Sequence, residues 1–333
     1  MSGGGASGGS ATSRRPPNGP APTVEDMTAA PAAPAASTVP AAGSGRRVPA
    51  AALVAMTVTV LAWASAFVAI RGVGRAYEPG PLALGRLLLG TAALGLPLAA
   101  RRRWVRPTRR EWGLLLVCGL AWFAVYNVAL NAAERRVDAG TTAMLVNIGP
   151  ILIALLAGAL LGEGFPRPLL VGAAVAFAGA MVIGVATSRS SGADGAGVLL
   201  CLLAAATYAV GVVSQKPVLR RLPALQVTWT ACAIGTVACL PFLPQLLRET
   251  GRAGAGPVAG LVYLGLVPTA LAFTTWAYTL ARMDAGRLGV TTYLVPPLAI
   301  LAAWPLLGEV PPVLAVAGGV VCLAGVALSR RRS

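Results

Sequence analysis

The amino-acid sequence predicts an all-α integral membrane protein with ten transmembrane helices, arranged as two inverted five-helix repeats. Three observations support this prediction: the composition, a recurrence of long apolar segments, and a repeat of polar motifs at a fixed separation. Of the 333 residues, 56% are hydrophobic and only 11% are charged, which is more apolar than soluble domains are. Apolar segments of about 20 residues match the thickness of a bilayer core.

The apolar segments define the predicted membrane domain. The loops between them are a few residues long, so no soluble domain fits between two spans. Their continuous apolar character favours helices, because strands of a membrane barrel alternate between apolar and polar residues. The predicted spans are 50–70, 79–100, 112–133, 139–161, 168–187, 195–215, 225–247, 257–281, 286–307 and 312–329.

The segment before the first span has a different composition. Residues 1–47 are mostly Gly, Ala, Ser, Pro and Thr without apolar periodicity, which predicts a disordered cytoplasmic tail. The apolar run that follows is too long for the core of a signal peptide and is interpreted as a span. The predicted organisation is therefore a tail over 1–47, a first repeat over 48–187 and a second repeat over 195–329.

The charge distribution predicts the orientation in the membrane. The net charge of +16 comes from short clusters of arginine between the apolar segments, a pattern of membrane topology that does not point to nucleic-acid binding. With the N-terminus inside, 19 of the 27 basic residues lie on the inner side and seven on the outer side. By the positive-inside rule, we expect a multi-pass protein of the bacterial cytoplasmic membrane with both termini in the cytoplasm.

An internal repeat appears when the chain is shifted by 146 residues. The pentapeptide RVDAG at 136–140 then matches RMDAG at 282–286, Pro150 matches Pro296, and the tetrapeptide LLGE recurs. The repeat unit contains five predicted spans, an odd number, so the second copy enters the membrane inverted. Inverted repeats are typical of secondary transporters. The alternative is a duplication that serves packing alone.

Three short motifs carry a resemblance to a known family. They are WASAFVAIR at 63–71, PLALGR at 81–86, and the Leu-Gly-Glu sequences that end at Glu163 and Glu309. Over residues 50–329 the chain resembles the EamA-type ten-helix group of the drug/metabolite transporter superfamily. The resemblance implies two inverted five-helix halves around a central cavity, cytoplasmic termini, and export of small metabolites or drugs.

Two prolines mark a candidate binding site. Pro150 and Pro296 fall near the midpoints of the fourth and ninth predicted spans, where each removes one backbone hydrogen bond of a helix. Asn147 and Tyr293 lie beside the carbonyls that these prolines free. Freed carbonyls at mid-depth in both halves favour a substrate site, whereas the alternative is a kink that only shapes packing.

Arg86 is an ionisable residue within a predicted span. A charge at this depth is costly, so it needs a compensating contact. One interpretation is a contact with substrate or with another helix in the cavity. The other is that the side chain extends to the nearby outer surface or bonds backbone carbonyls there.

Further cavity candidates are aromatic or polar side chains that share helical stripes in the first, third, sixth and eighth spans. An isolated aromatic residue would instead suit the membrane interface. The candidates are Trp63, Phe67, Tyr126, Asn127, Asn131, Tyr208, Gln215, Thr275 and Tyr278.

The acidic residues of the repeated motifs favour structural roles. Glu163 and Glu309 each follow a span and precede the next helix, where a carboxylate stabilises the helix N-terminus; proton coupling is the alternative. Asp138 and Asp284 are predicted to cap helices. The five cysteines lie in apolar runs as packing residues, and no metal ion or cofactor is predicted.

The sequence thus predicts a gradient-driven exporter of small metabolites or drugs, of amino-acid-like or amphipathic character, that works by alternating access. It is not predicted to be an enzyme, because it has no phosphate-binding GxxxxGK[ST] motif and no histidine. The alternatives are an integral-membrane lipid-modifying enzyme and a non-transporting scaffold. The expected partners are a small-molecule substrate and the lipid bilayer, without nucleic acid. A homodimer is compatible with the sequence, but nothing in it supports one.

Overall fold

The computed structural model describes residues 3, 5, 49–101, 104–136, 142, 145–187, 194–307 and 312–329. From Ala50 onward, nearly all of these residues are helical. The predicted disorder of residues 1–47 lies outside the described residues, apart from Gly3 and Gly5. Asp138 and Glu309 also lie outside them.

The helices belong to one structural unit that begins at Arg47. In chain order they are α1 (Ala50–Val73), α2 (Pro79–Arg101), α3 (Arg109–Ala133), α4 (Gly149–Leu160), α5 (Arg167–Thr187), α6 (Gly195–Val218), α7 (Ala224–Arg252), α8 (Ala255–Leu280), α9 (285–307) and α10 (Val313–Ser329). Four of them change pitch along their length. The π-helical segments Gly119–Val125 and Gly265–Leu271 interrupt α3 and α8, and the 3-10 turns Leu240–Phe242 and Thr292–Leu294 interrupt α7 and α9.

Six of the described helices are long and apolar enough to cross a membrane, namely α1, α2, α3, α6, α7 and α8. Three more apolar helical stretches are shorter, namely Gly149–Leu160 of α4, Arg167–Ile183 of α5 and Val313–Ser329 of α10. α4 is short because its regular part begins only at Gly149, where Pro150 occupies the first turn of the helix. A helical multi-span membrane fold is therefore confirmed, while the number of ten spans and the inversion of the halves stay predictions.

Helix starts show how local sequence sets these boundaries. α3 begins with a capping box, in which the hydroxyl of Thr108 and the carboxylate of Glu111 each accept a backbone N–H of the other residue. α6 begins where the carboxylate of Asp194 accepts the amide of Ala196. Both starts follow the usual rule that a polar side chain satisfies the free amides of the first turn.

The start of α9 departs from this rule and corrects one prediction. Asp284 occupies the N-cap position, but its side chain makes no capping hydrogen bond. Its carboxylate instead lies 3.6 Å from Nε of Arg287. The amides at the start of α9 are bonded by Glu163, which comes from the loop after α4. The prediction of Asp284 as a helix cap is therefore wrong, because a carboxylate distant in sequence has taken that role.

α5 and α10 pack against each other through glycines. A Cβ atom added at Gly179 would lie 2.5 Å from the amide nitrogen of Cys322, and one added at Gly325 would lie 2.3 Å from that of Ala176. At the far end of the pair, the same construction at Gly172 meets the amide nitrogen of Ser329 at 2.4 Å. The two helices therefore run antiparallel with their backbones in close approach, as small residues permit in membrane proteins.

We expect Gly325→Ala to destabilise the protein, because the added methyl group meets backbone atoms of Ala176 that cannot rotate away. Overpacking of this kind costs about 1–3 kcal/mol. The measurement is the apparent unfolding temperature of the purified variant in detergent. Gly113→Ala is the matched control, since a Cβ at Gly113 in α3 meets no atom within 4 Å. An equal unfolding temperature for both variants would contradict the close packing.

Candidate functional site

Two helix breaks meet at the centre of the candidate site. Residues 147–148 form a turn before α4 begins, and the 3-10 turn Thr292–Leu294 interrupts α9 just before Pro296. The hydroxyl of Tyr293 donates a hydrogen bond of 2.8 Å to the carbonyl of Asn147. The predicted candidates Asn147, Pro150, Tyr293 and Pro296 therefore lie at two interruptions that contact each other.

Tyr208 of α6 packs directly on the first of these breaks. A Cβ atom at Gly149 would lie 2.8 Å from Cδ1 of Tyr208, so the ring fits there only because this residue is glycine. Tyr208 is buried, and its hydroxyl has no hydrogen-bond partner in the part of the chain that the structure describes. A polar group in this position is available to a ligand that enters the site.

An aromatic cluster extends from Tyr208 across α1, α3, α6 and α8. Ring centroids lie 5.3 Å apart for Trp122 and Tyr208, 5.1 Å for Trp63 and Trp276, and 5.7 Å for Trp122 and Trp276. Most pairs are edge-on or tilted, the arrangements that aromatic quadrupoles favour. The aromatic cluster comprises Trp63, Trp122, Phe123, Tyr126, Tyr208, Phe273 and Trp276.

The predicted candidates include three members of this cluster, Trp63, Tyr126 and Tyr208. They omit Trp122, although it shares a helical stripe with Tyr126, and also Phe123, Phe273 and Trp276. The sequence did contain a signal for the last two, since Phe273 and Trp276 are three residues apart and share a face of a helix. What it could not show is that the rings of four separate helices meet.

Both π-helical segments contribute to the site, and they begin 146 residues apart, at Gly119 and Gly265. A π-helical turn displaces carbonyls from their usual partners, and side chains compensate here. Nδ2 of Asn127 donates to the carbonyls of Trp122 at 3.2 Å and Phe123 at 2.8 Å. The hydroxyl of Thr269 donates at 2.8 Å to the carbonyl of Leu264, the residue just before the second segment. Such irregular turns are frequent at functional sites.

Arg86 connects α2 to the second π-helical segment. Its side chain is buried, with 6% of the residue exposed, and Nε donates to the hydroxyl of Thr269 at 3.1 Å. The side chain thus contacts another helix and does not extend to the surface. Next to it, Trp63 donates from Nε1 to the carbonyl of Pro268 at 3.3 Å. The buried cation and the aromatic cluster therefore share the same segment of α8.

The other predicted candidates lie in different surroundings. Nδ2 of Asn131 donates to the carbonyl of Pro79 at 3.1 Å, which joins α3 to α2. The hydroxyl of Thr275 lies 2.7 Å from that of Thr59 on α1. The guanidinium of Arg282 lies over the ring of Tyr278, 3.5 Å from its centroid. Gln215 is fully buried two turns beyond Tyr208, and the side chain of Phe67 lies outside the described residues.

We expect Tyr293→Phe to destabilise the protein by about 0.5–1.5 kcal/mol, because it removes the hydrogen bond that satisfies the carbonyl of Asn147. Tyr208→Phe is the matched control. It removes a buried hydroxyl that has no hydrogen-bond partner among the described residues, so the apparent unfolding temperature in detergent should stay unchanged or rise slightly. The opposite ranking of the two variants would show that the contact between the breaks does not stabilise the fold.

Comparisons with known proteins agree with this architecture. A model of the EamA-like transporter family matches the chain twice, over residues 50–185 and 195–331. The chain is 39% identical over 282 residues to a probable terminal-alkyne amino-acid exporter of Streptantibioticus cattleyicolor, which covers 84% of this chain and 93% of the relative.

A second relative and one solved structure extend these similarities. A probable amino-acid metabolite efflux pump of Salmonella typhimurium is 26% identical, over 80% of this chain and 90% of that protein. A solved crystal structure that is 23% identical superposes with a TM-score of 0.70, over 84% of this chain and 96% of the other. The latter likeness shows that the two chains share a fold.

Proposed function

Because this chain belongs to the EamA-like transporter family, we propose that it exports amino-acid-like solutes through the centre of its helical unit. Two of its relatives are named as a probable amino-acid exporter and a probable amino-acid metabolite efflux pump. The observation that carries the proposal is the meeting of two broken helices beside the buried aromatic cluster. Interrupted helices near the middle of a bilayer are where secondary transporters hold their substrates.

The chemistry of this centre suits an amino acid with an apolar side chain. Ring faces of Trp63, Trp122 and Trp276 offer apolar contact and favourable electrostatics to an ammonium group. The buried guanidinium of Arg86 and the unpartnered hydroxyl of Tyr208 are donors for a carboxylate. The two relatives named for amino-acid solutes support the same class.

We further propose that the membrane unit consists of ten spans in two inverted halves. Residues separated by 146 positions support this arrangement. Gly179 and Gly325 are equivalent under that shift, and so are Ala176 and Cys322. The contact of Gly179 with Cys322 accordingly has its counterpart in the contact of Gly325 with Ala176. Reciprocal contacts between antiparallel helices are expected when a two-fold axis lies in the membrane plane.

Alternating access follows from this symmetry. If the two halves exchange conformations about the axis, a site on the axis is reached first from one side of the membrane and then from the other. The contact between Tyr293 and Asn147 joins two equivalent positions and therefore lies on the proposed axis. We propose this region as the substrate site, with Pro150, Pro296 and Tyr208 beside it and Arg86 as its charged contact.

For orientation, we expect a cytoplasmic reporter fused after Ser333 to be active and one inserted into the 134–138 loop to be inactive. The reason is the excess of basic residues, 19 against seven, on the side proposed as cytoplasmic. The measurement pairs a reporter that works in the cytoplasm with one that works only outside. The reverse pattern would overturn the proposed orientation.

Export itself is tested by flux of radiolabelled apolar amino acids from proteoliposomes that contain equal amounts of purified protein. We expect the parent protein to release them faster than protein-free liposomes. We expect Arg86→Ala to lower the flux about tenfold, since loss of a charge-assisted hydrogen bond costs about 1.5–3 kcal/mol. Arg248→Ala is the control, because Arg248 is exposed and bonds only a carbonyl of its own helix among the described contacts.

The flux assay tests the proposed substrate class and the proposed role of Arg86 separately. If the parent protein releases none of the amino acids above background, the proposed substrate class fails. If the parent is active and Arg86→Ala matches it at equal protein content, Arg86 has no role in substrate binding and serves only to join α2 and α8.

A further inference from the structure

The connector between α8 and α9, residues 281–284, is held from two sides. The carboxylate of Glu163, in the loop after α4, accepts the amides of Ala285 at 2.8 Å and Gly286 at 3.1 Å. On the other side, Nζ of Lys216 donates to the carbonyl of Leu280 at 2.6 Å and to that of Met283. Groups from two distant parts of the chain thus fix both ends of the same short connector.

These contacts match the electrostatics of the helix ends. A carboxylate at the N-terminus of α9 and an ammonium at the C-terminus of α8 each meet the end of the helix dipole that they stabilise. Lys216 is the only lysine in the sequence. An ammonium with three donors can bond two carbonyls at once. Here it bonds carbonyls on both sides of the turn and so holds the connector against α6.

Gln215, the neighbour of Lys216 in α6, differs from it in lacking hydrogen bonds from its side chain to the described residues. It is fully buried, and neither Nε2 nor Oε1 has a hydrogen-bond partner within the described ranges. An unpartnered amide in an apolar interior is unfavourable. The same stretch of α6 therefore contributes one side chain that secures the connector and one that would gain hydrogen bonds if water or solute reached it.

We propose that the α8–α9 connector is a gate at the cytoplasmic end of the transport path, closed in this structure by Glu163 and Lys216. Gln215 is the polar contact that a solute meets when this gate opens. Its amide offers both a donor and an acceptor, which fits the carboxylate and ammonium groups of an amino acid. This inference rests on the proposed function, because a gate has meaning only where a solute passes.

The two features act in opposite directions on one equilibrium. The bonds from Glu163 and Lys216 favour the closed connector, and the unpartnered amide of Gln215 disfavours it. A transporter needs both states to be accessible, and a small difference between them keeps the minor state populated. Removing the bonds from Glu163 or Lys216 should shift the population toward the open state. Removing the amide of Gln215 should shift it toward the closed state.

The first experiment measures the reactivity of a cysteine placed at position 215. The five natural cysteines are replaced by alanine, Gln215→Cys is introduced, and inside-out vesicles are treated with a membrane-impermeant maleimide. We expect Glu163→Ala to raise the labelling rate at position 215 at least tenfold. Ala204→Cys, equally buried earlier on the same helix, is the control position and should stay unreactive.

A second control separates the gate from a general loss of contacts. Glu249 also accepts a backbone amide with its carboxylate, that of Glu78 at 3.0 Å, but at the start of α2. Glu249→Ala should leave labelling at position 215 unchanged. The proposal is overturned if Glu163→Ala leaves that rate unchanged, if it raises labelling at positions 204 and 215 alike, or if Glu249→Ala has the same effect as Glu163→Ala.

The second experiment replaces the amide of Gln215. We expect Gln215→Leu to keep or raise the apparent unfolding temperature while it lowers amino-acid flux at least threefold. A lower unfolding temperature would show that the amide stabilises the fold, and it would overturn the proposal. The labelling rate can be measured whether or not the protein transports. A parent protein without flux would refute the proposed function, and the labelling rates would still show whether the connector opens.

Discussion

The structure depends on one constraint: every backbone polar group inside a membrane must find a partner within the protein. A regular helix meets this constraint by itself, whereas an interrupted helix does not. The chain interrupts its helices near the centre and supplies side chains for the groups that are released. Tyr293 serves the break before α4, and Asn127 and Thr269 serve the two π-helical segments. The positions of these polar side chains follow from the positions of the irregular backbone.

The same constraint separates the centre of the protein from its periphery. α5 and α10 remain regular, need no polar side chains, and pack through Gly172, Gly179 and Gly325 at distances that exclude a Cβ atom. The central helices also approach closely at single glycines, such as Gly211 against Trp122 and Gly119 against Ala231, but large rings pack between them elsewhere. A regular glycine-packed pair stands beside an irregular, aromatic centre, where the backbone departs from regular helical geometry.

Much of this arrangement could be predicted from the sequence. The apolar segments predict the helical membrane fold, and Pro150 and Pro296 mark the two breaks because proline lacks a backbone donor. Repeated motifs identify which positions are equivalent. These signals are local, or they compare one stretch of sequence with another. They can therefore be interpreted without knowledge of how the helices pack.

The remaining features depend on how the helices pack, so they could not be predicted from the sequence. The bond between Glu163 and the start of α9 joins residues more than a hundred positions apart, and local rules assign the capping role to Asp284. The π-helical segment Gly119–Val125 has no composition that distinguishes it from the apolar helix around it, whereas Gly265–Leu271 contains Pro268. Trp276 and Phe273 resemble interface residues until the rings of α1, α3 and α6 are placed against them.

The contact between Tyr293 and Asn147 has a consequence for how such a protein can be encoded. Equivalent positions in two identical half-length chains would hold the same residue twice, so a pair on their symmetry axis would be Tyr against Tyr or Asn against Asn. Here a phenol meets the backbone of a different residue. A single continuous gene permits that difference, because the residues at the two equivalent positions can change independently. In the proposed inverted arrangement, joining the two halves in one chain therefore allows the centre to be asymmetric.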